Sequence, residues 1–401
     1  MMITRSRVIR LFLLISLIVS LTVLSTRLQA DTGSCGGVTT TLPFTDVMGN
    51  PFFCQIAEAY FSGLTNGTTA TTYSPTAPVS REQMAAFITR TMDQSLKRGS
   101  RRAATEKWWT PQSTKNLTLT TVGSNPLEVK FDGTDLWVAN RTSATVMRIN
   151  PSDGRLLGTW AGASFAKSIV CALGKIFIAG DATPGRLHMI DSSLPAGNVT
   201  TLSSDLGNAP IGIAFDGERI WTTNEDSVSI ISLNPTSVTT ISTGFGRLLG
   251  ILYDGANIWV TDQDVSALHK LNANGSIAQT INVGSQPFLP VFDGINIWVP
   301  NFGSNSVSVV RVKDAAGNSL AAPFVLATLT DNGMNGPTDA AFDGERVMVT
   351  NQAGNSVSLW KAADLTPLGT FATGTNTFPY GACSDGLNFW ITLRPNKLAR
   401  F

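Results

Sequence analysis

The chain has 401 residues, of which 43% are hydrophobic and 14% are charged, and its formal net charge is +1. A chain this apolar is not intrinsically disordered, and it is long enough to bury a large core. The near-neutral balance also argues against nucleic acid as a partner, because proteins that bind it present a strongly basic face.

The first thirty residues are predicted to be a secretory signal peptide. Arg5, Arg7 and Arg10 form a basic start, residues 11–24 are uncharged and mostly apolar, and Ala30 precedes the predicted cleavage point. Cleavage removes four Arg and no acid, leaving 25 Lys and Arg against 28 Asp and Glu, a net charge of −3. We expect a bacterial protein that is secreted or held in the cell envelope and is not integral to the membrane. An uncleaved N-terminal anchor is the alternative.

Residues 31–98 are predicted to form a small helical module. Asn50 and Pro51 are suited to the cap and first position of one helix. Ser80 and Gln83 have the spacing of a capping box that starts a second helix. One apolar face is expected on each helix, formed by Phe53, Ile56, Ala57, Tyr60 and Phe61 in the first and by Met84, Phe87, Ile88 and Met92 in the second.

The order of motifs in this module resembles a single S-layer homology repeat. The matching pieces are residues 44–47 (FTDV), 67–75 (GTTATTYSP) and 79–83 (VSREQ). The resemblance implies attachment to cell-wall polysaccharide or peptidoglycan, with Arg81 contacting acidic groups of the polymer through its two-pronged guanidinium. Asp46, in the opening motif, is predicted with Arg81 as a wall-binding residue. Family members usually carry several copies, whereas this chain carries one, so it oligomerises through the module, docks it on the rest of the chain, or binds weakly.

The rest of the chain, residues 117–401, repeats one phrase. In most copies an aromatic residue precedes an Asp-Gly pair, and a short apolar run that usually contains Trp follows; the second copy is the weaker Ala172-Leu173-Gly174 and the last begins with Ser384. The Asp or its counterpart is at Asp132, Leu173, Asp216, Asp254, Asp293, Asp343 and Asp385, in steps of 41, 43, 38, 39, 50 and 42 residues. A period near forty with strand-like composition is typical of a β-propeller with one blade per repeat. The sequence therefore predicts an all-β protein, a seven-bladed propeller after the small helical module.

Each repeat contains the pieces of a four-stranded antiparallel blade. In the third repeat, strands are predicted at 211–215, 219–223, 228–233 and 238–241, with Gly217 taking a positive φ in the first turn. The recurring Trp is predicted to pack between blades, and the recurring Asp to be a turn residue.

The two ends of the repeat region are predicted to complete one blade together. Residues 99–116 are predicted to be a linker, whose Trp108 and Trp109 pack on a neighbouring domain. Residues 117–122 form a strand without partners in their own repeat, and the last repeat stops after its third strand. Residues 117–122 are therefore expected to supply the outer strand of blade 7, which closes the ring.

The repeats resemble YVTN and NHL-type propellers. The recurring FDG, the following apolar-Trp run and a later SVS segment carry this resemblance. Such propellers include binding modules, assembly scaffolds and a few lyases, so the resemblance implies the fold and leaves the function open. The streptogramin lyases, which inactivate antibiotics, are seven-bladed and use a His in elimination.

No catalytic, cofactor or metal-binding residue is predicted. The two His, His188 and His269, are expected to be structural, at equivalent third-strand positions where other blades carry the apolar Met147, Ile231, Val310 and Trp360. Sequence spacing suited to a zinc site, a nucleotide loop or a nucleophile elbow is missing.

The four Cys are assigned to two roles. Cys35 and Cys54 could form a disulfide in an exported protein. Cys171 and Cys383 are expected at equivalent positions of blades 2 and 7, buried and reduced.

The predicted function is that of an exported cell-envelope protein. The N-terminal module would attach to wall polymer, and a propeller face would bind an unknown protein, peptide or glycan. The alternatives are a propeller enzyme, a lyase or hydrolase acting at the top of the channel, and a structural envelope component that assembles through its propeller faces.

Overall fold

A computed structural model describes residues 30–35, 38–61, 63–98 and 118–401, without the side chains of residues 38 and 92–98. The described residues form two compact units, one before residue 95 and one after it. The predicted signal peptide up to residue 29 and the predicted 99–116 linker, with Trp108 and Trp109, lie outside the described residues.

The N-terminal unit contains a β-hairpin and two helices. Its elements are β1 (Thr32–Cys35), β2 (Val38–Thr41), α1 (Phe53–Phe61) and α2 (Arg81–Arg98). The antiparallel β1–β2 pair was not predicted from the sequence. A disulfide between Cys35 and Cys54 joins the hairpin to α1, as their spacing had suggested. Neither described helix is both long and apolar enough to cross a membrane.

Both predicted helix starts are confirmed. Asn50 Oδ1 accepts a hydrogen bond of 2.8 Å from the Phe52 amide. The Gln83 amide donates to Ser80 Oγ at 3.2 Å, and the Ser80 amide donates to Gln83 Oε1 at 2.8 Å. These bonds satisfy backbone donors that the helix itself leaves unpaired.

The predicted apolar faces are only partly buried. The core of this unit consists of Leu42, Phe44, Val47, Phe53, Ile56 and Ala57. Phe61, Met84 and Ile88 are exposed, contrary to the predicted faces. The reason is that no described residue of α2 belongs to this core, which α1 and the preceding segment fill by themselves.

The second unit is a seven-bladed propeller, as predicted. Each blade is a four-stranded antiparallel sheet. The strands of blades 1 to 4 are β4 (Pro126–Phe131), β5 (Leu136–Asn140), β6 (Thr145–Ile149), β7 (Leu156–Ala161); β8 (Ala166–Ala172), β9 (Lys175–Gly180), β10 (Gly185–Asp191), β11 (Thr200–Leu206); β12 (Gly212–Phe215), β13 (Ile220–Thr223), β14 (Val228–Leu233), β15 (Thr236–Ile241); β16 (Leu248–Tyr253), β17 (Ile258–Asp262), β18 (Ala267–Leu271), β19 (Ile277–Asn282).

The remaining blades close the ring. Their strands are β20 (Val291–Phe292), β21 (Asn296–Asn301), β22 (Ser306–Lys313), β23 (Ser319–Leu329); β24 (Pro337–Phe342), β25 (Arg346–Asn351), β26 (Ser356–Lys361), β27 (Pro367–Ala372); β28 (Ala382–Ser384), β29 (Phe389–Leu393), β30 (Lys397–Arg400) and β3 (Thr118–Thr121). Strand β3 pairs antiparallel with β30, Thr118 opposite Arg400 and Thr121 opposite Lys397. The predicted completion of blade 7 by the N-terminal strand is confirmed.

A repeated clasp ties the first turn of a blade to its Trp. In blade 4, Asp254 Oδ1 accepts the amides of Ala256 and Asn257 at 2.8 and 2.7 Å. Its other oxygen, Oδ2, accepts the indole N–H of Trp259 at 2.8 Å. The same Asp–Trp bond, 2.7 Å long, joins the pairs Asp132–Trp137, Asp216–Trp221, Asp293–Trp298 and Asp385–Trp390. The predicted packing role of Trp is confirmed, and Asp does more than shape the turn.

Blades 2 and 6 lack this Trp and show what replaces the clasp. Blade 2 has Phe177 in place of Trp and Leu173 in place of Asp, so neither the donor nor the acceptor is present. Blade 6 has Met348 and keeps Asp343, whose Oδ2 accepts a bond of 2.8 Å from Arg346 Nε. At this position of the described blades, each indole N–H is thus paired with its carboxylate, as expected from the cost of an unpaired buried donor. Trp360 Nε1, on β26 of blade 6, is by contrast buried without a hydrogen-bond partner among the described residues.

We expect Asp254→Asn to destabilise the propeller by about 1–3 kcal/mol. The side-chain oxygen of Asn can still accept the two turn amides, but its NH₂ group then faces the indole N–H of Trp259. Two donors face each other there, and the indole loses its hydrogen bond. Trp259→Phe removes that donor, so the double variant should lose less than the two single variants together. Urea denaturation measures all three, with the exposed Asp153→Asn as control. A melt of Asp254→Asn identical to the wild type would contradict the clasp.

Candidate functional site

The propeller encloses a channel along its axis. A cavity of about 420 Å³ is lined by residues of the inner strands of blades 1 to 6. Most of the lining is apolar and includes Ile213, Ile251, Leu289 and Phe292. A cavity of this size and character is typical of a site for a small ligand.

Three ionisable side chains meet in this channel: Glu128 and Lys130 on β4 and Asp339 on β24. Residues two apart on a strand point to the same side, and Lys130 Nζ lies 2.7 Å from Glu128 Oε1. Glu128 Oε2 accepts the Ile169 amide of blade 2 at 2.7 Å. Asp339 Oδ2 likewise accepts the Ala382 amide of blade 7 at 2.8 Å. Each carboxylate therefore links its own inner strand to the next.

The environment sets the protonation of this cluster. Burial, reinforced by the carboxylate of Glu128, raises the pKa of Asp339 to about 7, against the opposing effect of Lys130. Burial disfavours the charge of Lys130, but the carboxylates of Glu128 and Asp339 outweigh it and raise the pKa of Lys130. Asp339 is therefore the group of the channel that can exchange a proton near neutral pH.

The stability of the protein should depend on Asp339 in a defined pH window. The pKa of Asp339 is raised by folding, so stability contributed by its protonated form is present below about pH 4 and is lost as pH rises toward 7. Asp339→Asn cannot lose this contribution. As pH rises between these values, we expect the stability of the variant to increase relative to that of the wild type by on the order of 4 kcal/mol.

Urea denaturation at a series of pH values measures this difference. Asp153→Asn, an exposed position, is the control and should parallel the wild type. Parallel pH profiles of Asp339→Asn and the wild type would refute the assignment.

The two His lie inside their blades, away from the channel lining. His188 on β10 pairs with Ile178, and His269 on β18 pairs with Val260. The same register in other blades holds Met147, Ser229, Ser308, Ser358 and Ala399. The predicted register is therefore wrong except at Met147, because Ile231, Val310 and Trp360 lie two residues further along. Alternate residues of a strand face the same side, so the apolar pattern did not separate the two registers.

In five of the seven blades this register carries a polar residue, and the exceptions are Met147 and Ala399. Ser229 Oγ lies 3.0 Å from Thr240 Oγ1 and accepts from Asn224 Nδ2 at 3.0 Å. His269 Nδ1 takes the corresponding place, 3.0 Å from Thr280 Oγ1, and His188 Nδ1 lies 3.0 Å from Thr201 Oγ1. Both His are at most 3% exposed. Their structural role, expected from the sequence, fits these contacts.

The free Cys are not equivalent, contrary to the prediction. Cys171 pairs with Ile176, whereas Cys383 pairs with Trp390, one register position earlier. The first turn of blade 2 is only Leu173-Gly174, and this shorter turn shifts the alignment. Burial raises the pKa of both thiols, that of Cys171 to about 12, so both are protonated near neutral pH.

The two predicted wall-binding residues, Asp46 and Arg81, have different surroundings in the N-terminal unit. Asp46 accepts the Tyr73 amide at 2.9 Å and the Ser74 amide at 2.7 Å, and so holds the Thr-rich loop. Arg81 is the exposed first residue of α2. No contact between Arg81 and Asp46 is found among the described side chains, and both stay predicted wall-binding residues. Within the same described ranges, no group of three or more His, Cys, Asp or Glu could hold a metal ion.

The channel and the seven closed sheets define a β-propeller, and solved propellers are similar to it. A streptogramin B lyase is 15% identical with a TM-score of 0.55, over 71% of this chain and 98% of that chain. A catalytically inactive His-to-Ala variant of virginiamycin B lyase from Staphylococcus aureus, with quinupristin, is 15% identical with a TM-score of 0.56, over 71% and 99%. Hydrazine synthase from Kuenenia stuttgartiensis is 16% identical with a TM-score of 0.55, over 73% and 99%.

Identities this low show the fold alone. No protein-family model and no curated protein sequence matches the chain. The seven-bladed fold is confirmed, and the resemblances to the S-layer homology and to the YVTN or NHL families stay predictions.

Proposed function

We propose that this is a binding protein of the cell envelope, in which the propeller receives a ligand and the N-terminal unit attaches to the wall. The observation that supports this best is the channel: a cavity of about 420 Å³, mostly apolar, with three converging ionisable groups. Few polar groups in an apolar cavity favour selective binding of a ligand. The volume suits a small molecule, or the end of a peptide or glycan chain.

Attachment would use the exposed start of α2. Arg81 lies beside the capping box of Ser80 and Gln83, where its guanidinium is free to point to solvent. A guanidinium suits the carboxylates and phosphates of wall polysaccharide or peptidoglycan, which it pairs through two charge-assisted hydrogen bonds.

We expect residues 31–401 to sediment with purified cell-wall sacculi, and Arg81→Ala to reduce the retained fraction about tenfold, the worth of one charge-assisted contact. Arg155→Ala, which removes an exposed Arg of the propeller, is the matched control and should leave retention unchanged. Equal retention of Arg81→Ala and the wild type, or no retention of either, would remove this proposal.

A propeller lyase or hydrolase is the second candidate, and Asp339 is the observation that favours it. A carboxyl whose pKa is about 7 can act as general acid or base near neutral pH. Neither His lines the channel, so chemistry would depend on the carboxyl cluster.

Quinupristin, the compound bound to the similar virginiamycin B lyase variant, offers a direct assay. If the second candidate holds, residues 31–401 should open its ring, and Asp339→Asn should lower the rate at least about a hundredfold. Chromatography of the reaction measures the opened product. Intact quinupristin after prolonged incubation would exclude lyase chemistry on this compound.

A further inference from the structure

A residue one to five positions before the inner strand takes a left-handed conformation in six of the blades. This position holds Asn125, Phe165, Ala209, Gln286, Gly336 and Phe378, with φ of 55°, 57°, 46°, 52°, 62° and 42°. Asn and Gly tolerate such a φ, whereas a bulky residue is strained by about 1–2 kcal/mol. Blades 2 and 7 nevertheless carry Phe there.

Burial of the two Phe rings does not compensate for the backbone strain at these positions. Phe165 remains 49% exposed and Phe378 40% exposed, so each ring leaves much of its apolar surface in water. A bulky residue that is strained and exposed at once is more typical of a binding site than of a folding role. The two rings flank blade 1, since blades 7, 1 and 2 follow one another around the ring.

Cationic side chains stand beside these rings. Arg141 of blade 1 lies 5.8 Å from the centre of the Phe165 ring, and its Nε donates to Asp181 at 2.9 Å. Lys167 Nζ lies 3.5 Å from the same Asp181 carboxylate. Asp181 is almost buried and orients both cations. Within the part of the chain that the structure describes, the side-chain hydrogen bonds of Arg141 are donated by Nε, so its terminal nitrogens can serve a ligand.

Blade 7 carries a third cation, Arg394. Arg394 lies 6.0 Å from the centre of the Tyr380 ring. Its Nε is buried and has no hydrogen-bond partner among the described residues. Arg141, Asp181 and Arg394 each directly follow the second strand of their blade, so they lie on the same face of the propeller, at one end of the channel. Two cations, Arg141 and Lys167, thus contact Asp181, and Arg394 lies on the same face of the propeller. Among these four charges the surplus is positive.

We propose that this end of the channel binds a carboxylate carried next to an aromatic group. Arg141, Lys167 and Arg394 would hold the carboxylate, and Phe165, Phe378 and Tyr380 would contact the ring. A cationic ligand is disfavoured because Asp181 already has two cationic partners. This assignment rests on the proposed function, since it names the class of ligand that the propeller receives.

Three small probes test the site by NMR titration of residues 31–401. N-acetylphenylalanine should bind, whereas N-acetylphenylalaninamide, without the charge, and acetate, without the ring, should bind at least about tenfold more weakly. A tripeptide ending in phenylalanine distinguishes the source: tighter binding than the amino acid indicates a chain terminus, weaker binding a free small acid, and both support the site. Equal binding of acid and amide, or failure of both the acid and the tripeptide to bind, would overturn it.

Two matched substitutions separate strain from packing. Phe165→Asn and Ala209→Asn both place Asn, which suits a left-handed φ, at equivalent positions of blades 2 and 3. Both should keep or raise Tm, and only Phe165→Asn should weaken N-acetylphenylalanine binding, by at least about fivefold. A large fall in Tm of Phe165→Asn, or unchanged binding, would refute the site. Retention on sacculi without probe binding would refute this site alone, and probe binding without retention would refute wall attachment alone.

Discussion

The pairing of β3 with β30 is the contact on which the propeller depends. A blade with three strands would present a full row of unpaired backbone groups, which invites aggregation and fraying. The N-terminal strand covers that edge of blade 7, with Thr118 opposite Arg400. The ends of the propeller are thereby joined by backbone hydrogen bonds, and the seven sheets are held around one channel. Every side chain that faces the axis owes its position to this closure.

In the closed ring, backbone amides that face the channel need hydrogen-bond acceptors, and residues of the channel supply them. Inner strands of neighbouring blades are not paired as a sheet, so amides that face the axis need other acceptors. Glu128 accepts from Ile169 and Asp339 from Ala382, in each case across a blade boundary. The same carboxylates then become part of the proposed binding site. Glu128 and Asp339 therefore connect neighbouring blades and also supply carboxylates to the channel. The burial of Asp339 in the channel raises its pKa.

Much of the fold could be predicted because it is written in repeated or local patterns. The Asp-Gly and Trp phrase predicted seven blades, and the Ser80–Gln83 spacing predicted a helix start. The hairpin β1–β2 escaped prediction because short polar strands have no distinctive pattern. The channel cluster escaped because Glu128 and Asp339 are single departures from the repeat, far apart in the chain. Their shared offset of three residues before an aromatic residue was the one available signal.

Other misses have a physical origin in register and in coverage. The predicted register of the two His was wrong by two residues, because alternate residues of a strand face the same side of the sheet. The apolar face of α2 predicted that the helix packs against the core of its unit. An amphipathic pattern shows that one face of a helix is apolar, but it does not show which residues bury that face. Met84 and Ile88 are exposed accordingly.

The Asp–Trp clasp carries a consequence for which substitutions a blade tolerates. A buried carboxylate that loses its indole keeps the two turn amides as partners, whereas an indole that loses its carboxylate keeps an orphaned donor. Replacement of the indole alone should therefore cost less stability than replacement of the carboxylate alone. Blade 6, with Met348 and Asp343, has the carboxylate without the indole, and blade 2, with Phe177 and Leu173, has neither. No described blade has the indole at this position without the carboxylate.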